Sequence, residues 1–118
     1  MKLVTKLRLV NGRSMSKHFV CLVTIETSKS EQLAEKLVES RKCACVNIIP
    51  KVKSVYWWEG KIEKSDESLL IVKTNEQAKD DLTSIIKKNH PYDVPEIVFS
   101  EISSGNEDYM KWIDDSIL

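Results

Sequence analysis

Glycine is scarce in this 118-residue chain: Gly12, Gly60 and Gly105 are all it has. Phosphate loops and dinucleotide fingerprints need several glycines within a few residues, so both are excluded. Proline is equally rare (Pro50, Pro91 and Pro95), aromatic residues make up 7%, and hydrophobic and charged residues make up 42% and 31%. That balance rules out collagen-like and disordered chains. No stretch approaches the roughly 18 consecutive apolar residues of a membrane-spanning helix. Excess charge is also missing, with eighteen Lys+Arg against eighteen Asp+Glu, which argues against a nucleic-acid binder. The motifs G-x-S-x-G and H-E-x-x-H and the EF-hand loop are absent. Cys21, Cys43 and Cys45 form an odd, sparse set without C-x-x-C spacing, which fits neither a disulfide scaffold nor a structural zinc site. A reducing, cytoplasmic setting is the reading we adopt.

The neutral total hides an asymmetry. Residues 1–17 hold Lys2, Lys6, Arg8, Arg13 and Lys17 and no acid, so the remainder is mildly acidic. Lys6 and Arg8 interrupt the apolar stretch that a signal peptide requires. Met15 opens a second candidate start, MSKHFVCLV. We therefore expect residues 1–14 to be an N-terminal extension outside the fold and residues 15–118 a single domain.

From His18 the run HFVCLVTIE is apolar and β-branched on both faces, as a central strand is. Thr27-Ser28-Lys29-Ser30 follows, with Ser28 or Ser30 a candidate cap for a helix over 30–42 that carries Leu33, Ala34, Leu37, Val38 and Arg41 at helical spacing. Cys45 to Trp58 and Lys61 to Lys73 read as strands joined by Glu59-Gly60, a hairpin with a bulge or unpaired edge at Pro50. Asn75 caps a second helix through Asn89, which His90-Pro91 ends. Val94 to Ser103 supplies a last strand, and Gly105-Asn106 opens a helix with Tyr109, Trp112, Ile113 and Ile117 in a stripe. The order β-α-β-β-α-β-α predicts an α+β fold: the ferredoxin-like βαββαβ unit plus a C-terminal helix, with both crossover helices on one face of a four-stranded antiparallel sheet.

Hairpin length bears on assembly. Thirteen-residue arms at about 3.3 Å per residue reach roughly 40 Å, whereas a compact domain of this length is about 35 Å across. The tip carries Tyr56, Trp57 and Trp58, which solvent alone does not favour. The overhang is expected to pack against another subunit.

The chemistry-bearing residues have competing readings. Cys43-x-Cys45 places two thiols on one side of an extended segment, a spacing for a soft cation such as Cu(I), while buried packing is the commoner fate of a free cysteine. His90 is a ligand or a cap at a helix C-terminus. His90 and Asp93 stand close in sequence, but nothing fixes a serine to complete a triad. Glu67 lies midway along the overhanging arm, where it is placed to meet Lys73 or a neighbouring subunit's lysine.

The blocks ACVNIIP, SVYWWEGKIEKSDESLLIVKT and HPYDVPEI, in this order and followed by GNEDYMKWI, resemble the CutA family of divalent-cation tolerance proteins. The resemblance runs from about Phe19 to Ile117. It implies a ferredoxin-like subunit in a tight homotrimer, linked to copper and other divalent cations through binding rather than catalysis. Its characteristic residues fall here on Cys45, Tyr56, Trp58, Glu59, Gly60, Glu67, Lys73, Thr74, His90, Pro91, Tyr92, Pro95 and Glu96. A copper site described for some members uses a first-strand cysteine and a His-His pair before Pro-Tyr; those positions hold Val23 and Asn89 here, and His90 is kept.

These readings combine into one expectation. The protein is a homotrimer without nucleic-acid or membrane partners, which requires no cofactor and binds Cu(II) or another divalent cation weakly through His90, with Cys45 as a second ligand. An inter-subunit cleft is formed by Tyr56, Trp58, Glu59, Glu67, Lys73, Tyr92 and Glu96. The alternative is a trimeric signalling or ligand-sensing module that holds a small molecule in that cleft. Other users of the topology fit less well. An acylphosphatase-like enzyme needs an arginine in the loop after the first strand, an RNA-recognition module needs exposed aromatics on the third, and a metallochaperone needs C-x-x-C in the first loop.

Overall fold

A computed structural model describes residues 17–118 and, before them, only the backbone of two short strands, Leu9–Val10 and Arg13–Ser14. These two pair with each other in a sheet of their own. The expectation that residues 1–14 stand outside the fold otherwise lies outside the described residues.

His18–Ile25 forms β1, Ser30–Glu39 α1, Cys45–Trp58 β2, Lys61–Asn75 β3, Lys79–Asn89 α2, Val98–Glu101 β4 and Glu107–Ser116 α3. The sheet order is β2-β3-β1-β4 with all neighbours antiparallel. Alternation along β1 and β3 sends Cys21, Val23, Ile25, Leu70 and Val72 to one face, where they meet Leu33 and Leu37 of α1 and Leu82 and Ile86 of α2 in the core. Val20, Leu22 and Thr24, on the other face of β1, are only partly covered.

The helix ends differ from the sequence expectations in instructive ways. Thr27–Lys29 forms a 3-10 turn ahead of α1, and Ser30 Oγ donates to Thr27 O at 2.8 Å, so no serine caps α1 through a backbone N–H. α1 stops at Glu39, short of 42, because Arg41 takes a left-handed φ of 62°. Val38, though within α1, remains outside the core. Asn75 does cap the next helical segment, its Oδ1 accepting from Ala78 N–H at 3.2 Å, and Asn106 caps α3 in the same way through Tyr109 N–H.

β4 is the largest correction. The strand expected over 94–103 is confined to Val98–Glu101. Pro91 and Pro95 cannot donate to a ladder, so the segment before Val98 runs as a loop. That loop carries Tyr92, Asp93 and Glu96.

The hairpin matches its expectation closely. Register shifts between Ile49 and Val52, around Pro50 and a left-handed Lys51 (φ 62°), and the strands continue to Trp58 opposite Lys61. Pairing with β1 ends at Ser68, so residues 61–67 of β3 have β2 as their only strand neighbour among the described residues. The chain measures 53 × 24 × 23 Å with a radius of gyration of 15.8 Å, well above the roughly 13–14 Å of a compact chain. Along the arms, Val55, Trp57 and Ile62 are 60%, 70% and 64% exposed.

Candidate functional site

The residue before a proline is pushed out of helical conformation, and His90 (φ −89°, ψ 138°) ends α2 for that reason. Its turned-out ring lies beneath β1, with Nε2 2.8 Å from Thr24 O and Nδ1 3.1 Å from Tyr92 N. A carbonyl only accepts and a backbone N–H only donates, so the ring proton is on Nε2 and the lone pair of Nδ1 is taken. The imidazole also packs edge-on to the Tyr92 ring, centroids 4.5 Å apart. Tyr92, fixed at its backbone and its ring, donates its hydroxyl to Glu67 Oε2 at 2.7 Å. Burial, and then the bond to Glu67, holds this phenol well above its ordinary pKa, because ionising it would set two anions together.

Glu67 itself is 5% exposed. It forms the floor of a cleft of about 600 Å³ between the hairpin and the loop that precedes β4. Ser54, Val55, Tyr56 and Trp58 come from β2, Ser65 and Glu67 from β3, Thr24 from β1, and Tyr92, Asp93, Val94 and Glu96 from the loop. Tyr56 and Ser65 share a hydrogen bond of 2.8 Å across the strands. Of the residues singled out in the sequence, Tyr56, Trp58, Glu67, Tyr92 and Glu96 line this cleft, and His90 supports it from behind.

Two others stand elsewhere in the single chain. Glu59 occupies the hairpin turn. Lys73 is bonded to the Asn47 side chain and lies 4.0 Å from Cys45 Sγ, so the expected Glu67–Lys73 contact is replaced by Glu67–Tyr92. Thr24, Ser54, Ser65, Asp93 and Val94 were missed. A period of two from Tyr56 and Glu67 points to Ser54 and Ser65, and Asp93 and Val94 sit inside the HPYDVPEI block.

The donors expected to hold a metal do not converge within the chain. Thr24, bonded to His90, pairs with Leu69, whereas Cys45 pairs with Lys73; four residues along a strand is about 13 Å. Neither nitrogen of His90 is free to coordinate. Cys43 belongs to the core, where burial pushes its thiol up to about 12, and the same is true of Cys21. Cys45, half-buried, neighbours Lys73 and also Tyr109, whose phenol is pushed up by burial and then by this thiol. Among the described residues no three His, Cys, Asp or Glu side chains are grouped to hold a metal ion.

The family model for the CutA1 divalent ion tolerance protein matches residues 19–116. The chain belongs to that family. A chloroplastic CutA 1 protein of Oryza sativa subsp. japonica is 44% identical over 98 residues, which cover 82% of this chain and 55% of the rice protein. This chain thus spans little more than half of that relative's length. The divalent-cation tolerance protein CutA of Thermus thermophilus is 42% identical over 95 residues, covering 80% of this chain and 92% of its own. Among solved structures, CutA1 from Oryza sativa superposes with a TM-score of 0.84 at 42% identity, covering 86% of this chain and 94% of that one. CutA1 members thus share this antiparallel sheet with its helices. No described helix is long and apolar enough to cross a membrane.

Proposed function

We propose that this CutA1-family chain is a ferredoxin-like homotrimer that serves divalent-cation tolerance by binding rather than catalysis, with the Glu67–Tyr92 cleft as its binding site. The cleft carries the reading: a buried carboxylate, held in place by a phenol, opens on a cavity of about 600 Å³ alongside a protruding hairpin. The strand order agrees with the split βαβ arrangement. Exposed Val55, Trp57 and Ile62 favour burial of the hairpin against further copies. His90 is committed to two hydrogen bonds, and the cleft's other polar groups are carboxylates and hydroxyls suited to holding a bound group.

In this reading no resident cofactor is needed. Cu(II) or another divalent cation binds weakly, through carboxylates of the cleft rather than through His90 with Cys45. We assign the protein to the cytoplasm, without nucleic-acid or membrane partners, although the rice relative is named as chloroplastic. The cleft volume, much larger than a bare ion, also favours the second reading, a trimeric ligand-sensing module.

Native mass spectrometry and calorimetric titration with Cu(II) test the proposal together. We expect a mass three times 13.6 kDa, with weak heats that vanish in Glu67→Gln and persist in Cys45→Ala. A mass near 13.6 kDa removes the trimer. Tight binding that survives Glu67→Gln removes the cleft as the cation site.

A further inference from the structure

The charge of the cleft has one sign. Glu67, Asp93 and Glu96 line it, and among the described residues no lysine or arginine does. Lys73, which the sequence suggested as a counter-charge, is engaged with Asn47 and Cys45. Lys61, which the register puts opposite Trp58 at the hairpin tip, pairs with Glu63 at 3.3 Å. Tyr92 takes one oxygen of the buried Glu67 carboxylate, and among the described residues none bonds the other. A carboxylate oxygen open to an acidic cavity favours a positive partner.

The walls say which kind. Tyr56, Trp58 and Tyr92 all line the cleft. A divalent metal ion has no use for aromatic walls. It asks for several oxygens within about 2.0–2.6 Å of one point, and among the described residues no three His, Cys, Asp or Glu side chains are grouped that way, so a metal ion is held here only weakly. An alkylammonium ion fits both features, since its charge is attracted to carboxylates and to ring faces while its methyl or methylene groups fill apolar space. The volume of about 600 Å³ lies in the range of small-molecule sites.

We infer that the Glu67–Tyr92 cleft binds a small organic ammonium cation, enclosed by Tyr56, Trp58 and Tyr92 and neutralised by Glu67 and Glu96. The inference rests on this cleft being the binding site, and it replaces a bare metal ion with an organic cation as the preferred occupant. Anions are repelled, and neutral molecules leave Glu67 without its counter-charge.

The test uses the full chain in its native assembly and calorimetric titration with tetramethylammonium chloride, with tert-butanol as an uncharged probe of similar shape. At constant ionic strength the cation is expected to bind at least about tenfold more tightly than the alcohol, the size of one desolvated cation–π or charge-assisted contact. Glu67→Gln is expected to lower cation affinity about tenfold without changing the alcohol's. Glu96→Gln, at an exposed position that leaves folding intact, should lower it several-fold and keeps the test open should Glu67→Gln fail to fold. Equal affinity for both probes, or no tetramethylammonium binding at millimolar concentration, overturns the inference. A Cu(II) heat that depends on Glu67 in a protein that ignores tetramethylammonium defeats this inference and leaves the proposed function standing. Ammonium binding without any Cu(II) heat does the reverse.

Discussion

Cys21 and Cys43 lie between the sheet and its helices, and burial raises both thiols from 9.0 to about 12. In the unfolded chain the same thiols ionise near 9.0, so above that pH the native state holds protons that the unfolded state has released. Their contribution to stability is therefore complete below pH 9.0 and is lost as pH rises toward about 12. The loss is about 1.4 kcal/mol per pH unit for each thiol. We expect urea melts between pH 9 and 11 to show a steep alkaline decline, and Cys43→Ala to make it shallower by about one proton's worth of slope. Equal slopes in the two proteins would show that Cys43 is not the group concerned. His90 teaches the complementary lesson, since a histidine's chemistry depends on which groups meet its nitrogens. Here Thr24 O and Tyr92 N–H take both, and Thr24 is 66 residues away in the chain, a contact no local pattern shows.

The hairpin turn is an element whose conformation can be tested by substitution. Glu59 and Gly60 have φ of 50° and 80°, both left-handed, as a two-residue connection between right-twisted strands requires. Glutamate is poorly suited to that region and asparagine tolerates it, so Glu59→Asn should raise stability by about 0.5–1 kcal/mol. Gly60→Ala should lower it by about 1 kcal/mol through backbone strain, since a Cβ there would meet nothing within 4 Å. Chemical denaturation measures both, and a destabilised Glu59→Asn would mean that the Glu59 side chain has a partner in the assembly. Elements of this kind were legible in advance. Glu59-Gly60, Pro50, Asn75 and Asn106 each act through their own backbone or a near neighbour, so composition and spacing revealed them. Strand β4 was not, because Val94 to Ser103 has the right residues for a strand while Pro91 and Pro95 divert its first half into a loop. The cleft was half legible for the same reason: Tyr56, Trp58, Glu67, Tyr92 and Glu96 come together only when that loop folds back over the hairpin.

At the scale of the whole molecule, the rod-like outline of 53 × 24 × 23 Å sets the core at one end and the exposed aromatics at the other. Trp57 is 70% exposed in the single chain, so Trp57→Ser should leave the core folded while weakening the proposed trimer. Sedimentation equilibrium at micromolar concentration, beside circular dichroism, separates these effects, and an undiminished oligomer would show that Trp57 lies outside the contact. Strand β3 joins the two regions: from Ser68 to Lys73 it is flanked by β1 and β2, and from Lys61 to Glu67, among the described residues, by β2 alone. A newly made chain can thus finish its core before its hairpin has found anything to lie against. Amide hydrogens of the inner stretch then exchange with solvent at a rate set by the chain's own unfolding, and those of the outer stretch, if the proposed trimer covers it, at a rate set by how often it is left alone. In the proposed trimer, dilution, which leaves the first rate unchanged, would quicken the second, making deuterium uptake along one continuous strand a clock for the residence time of a neighbouring subunit.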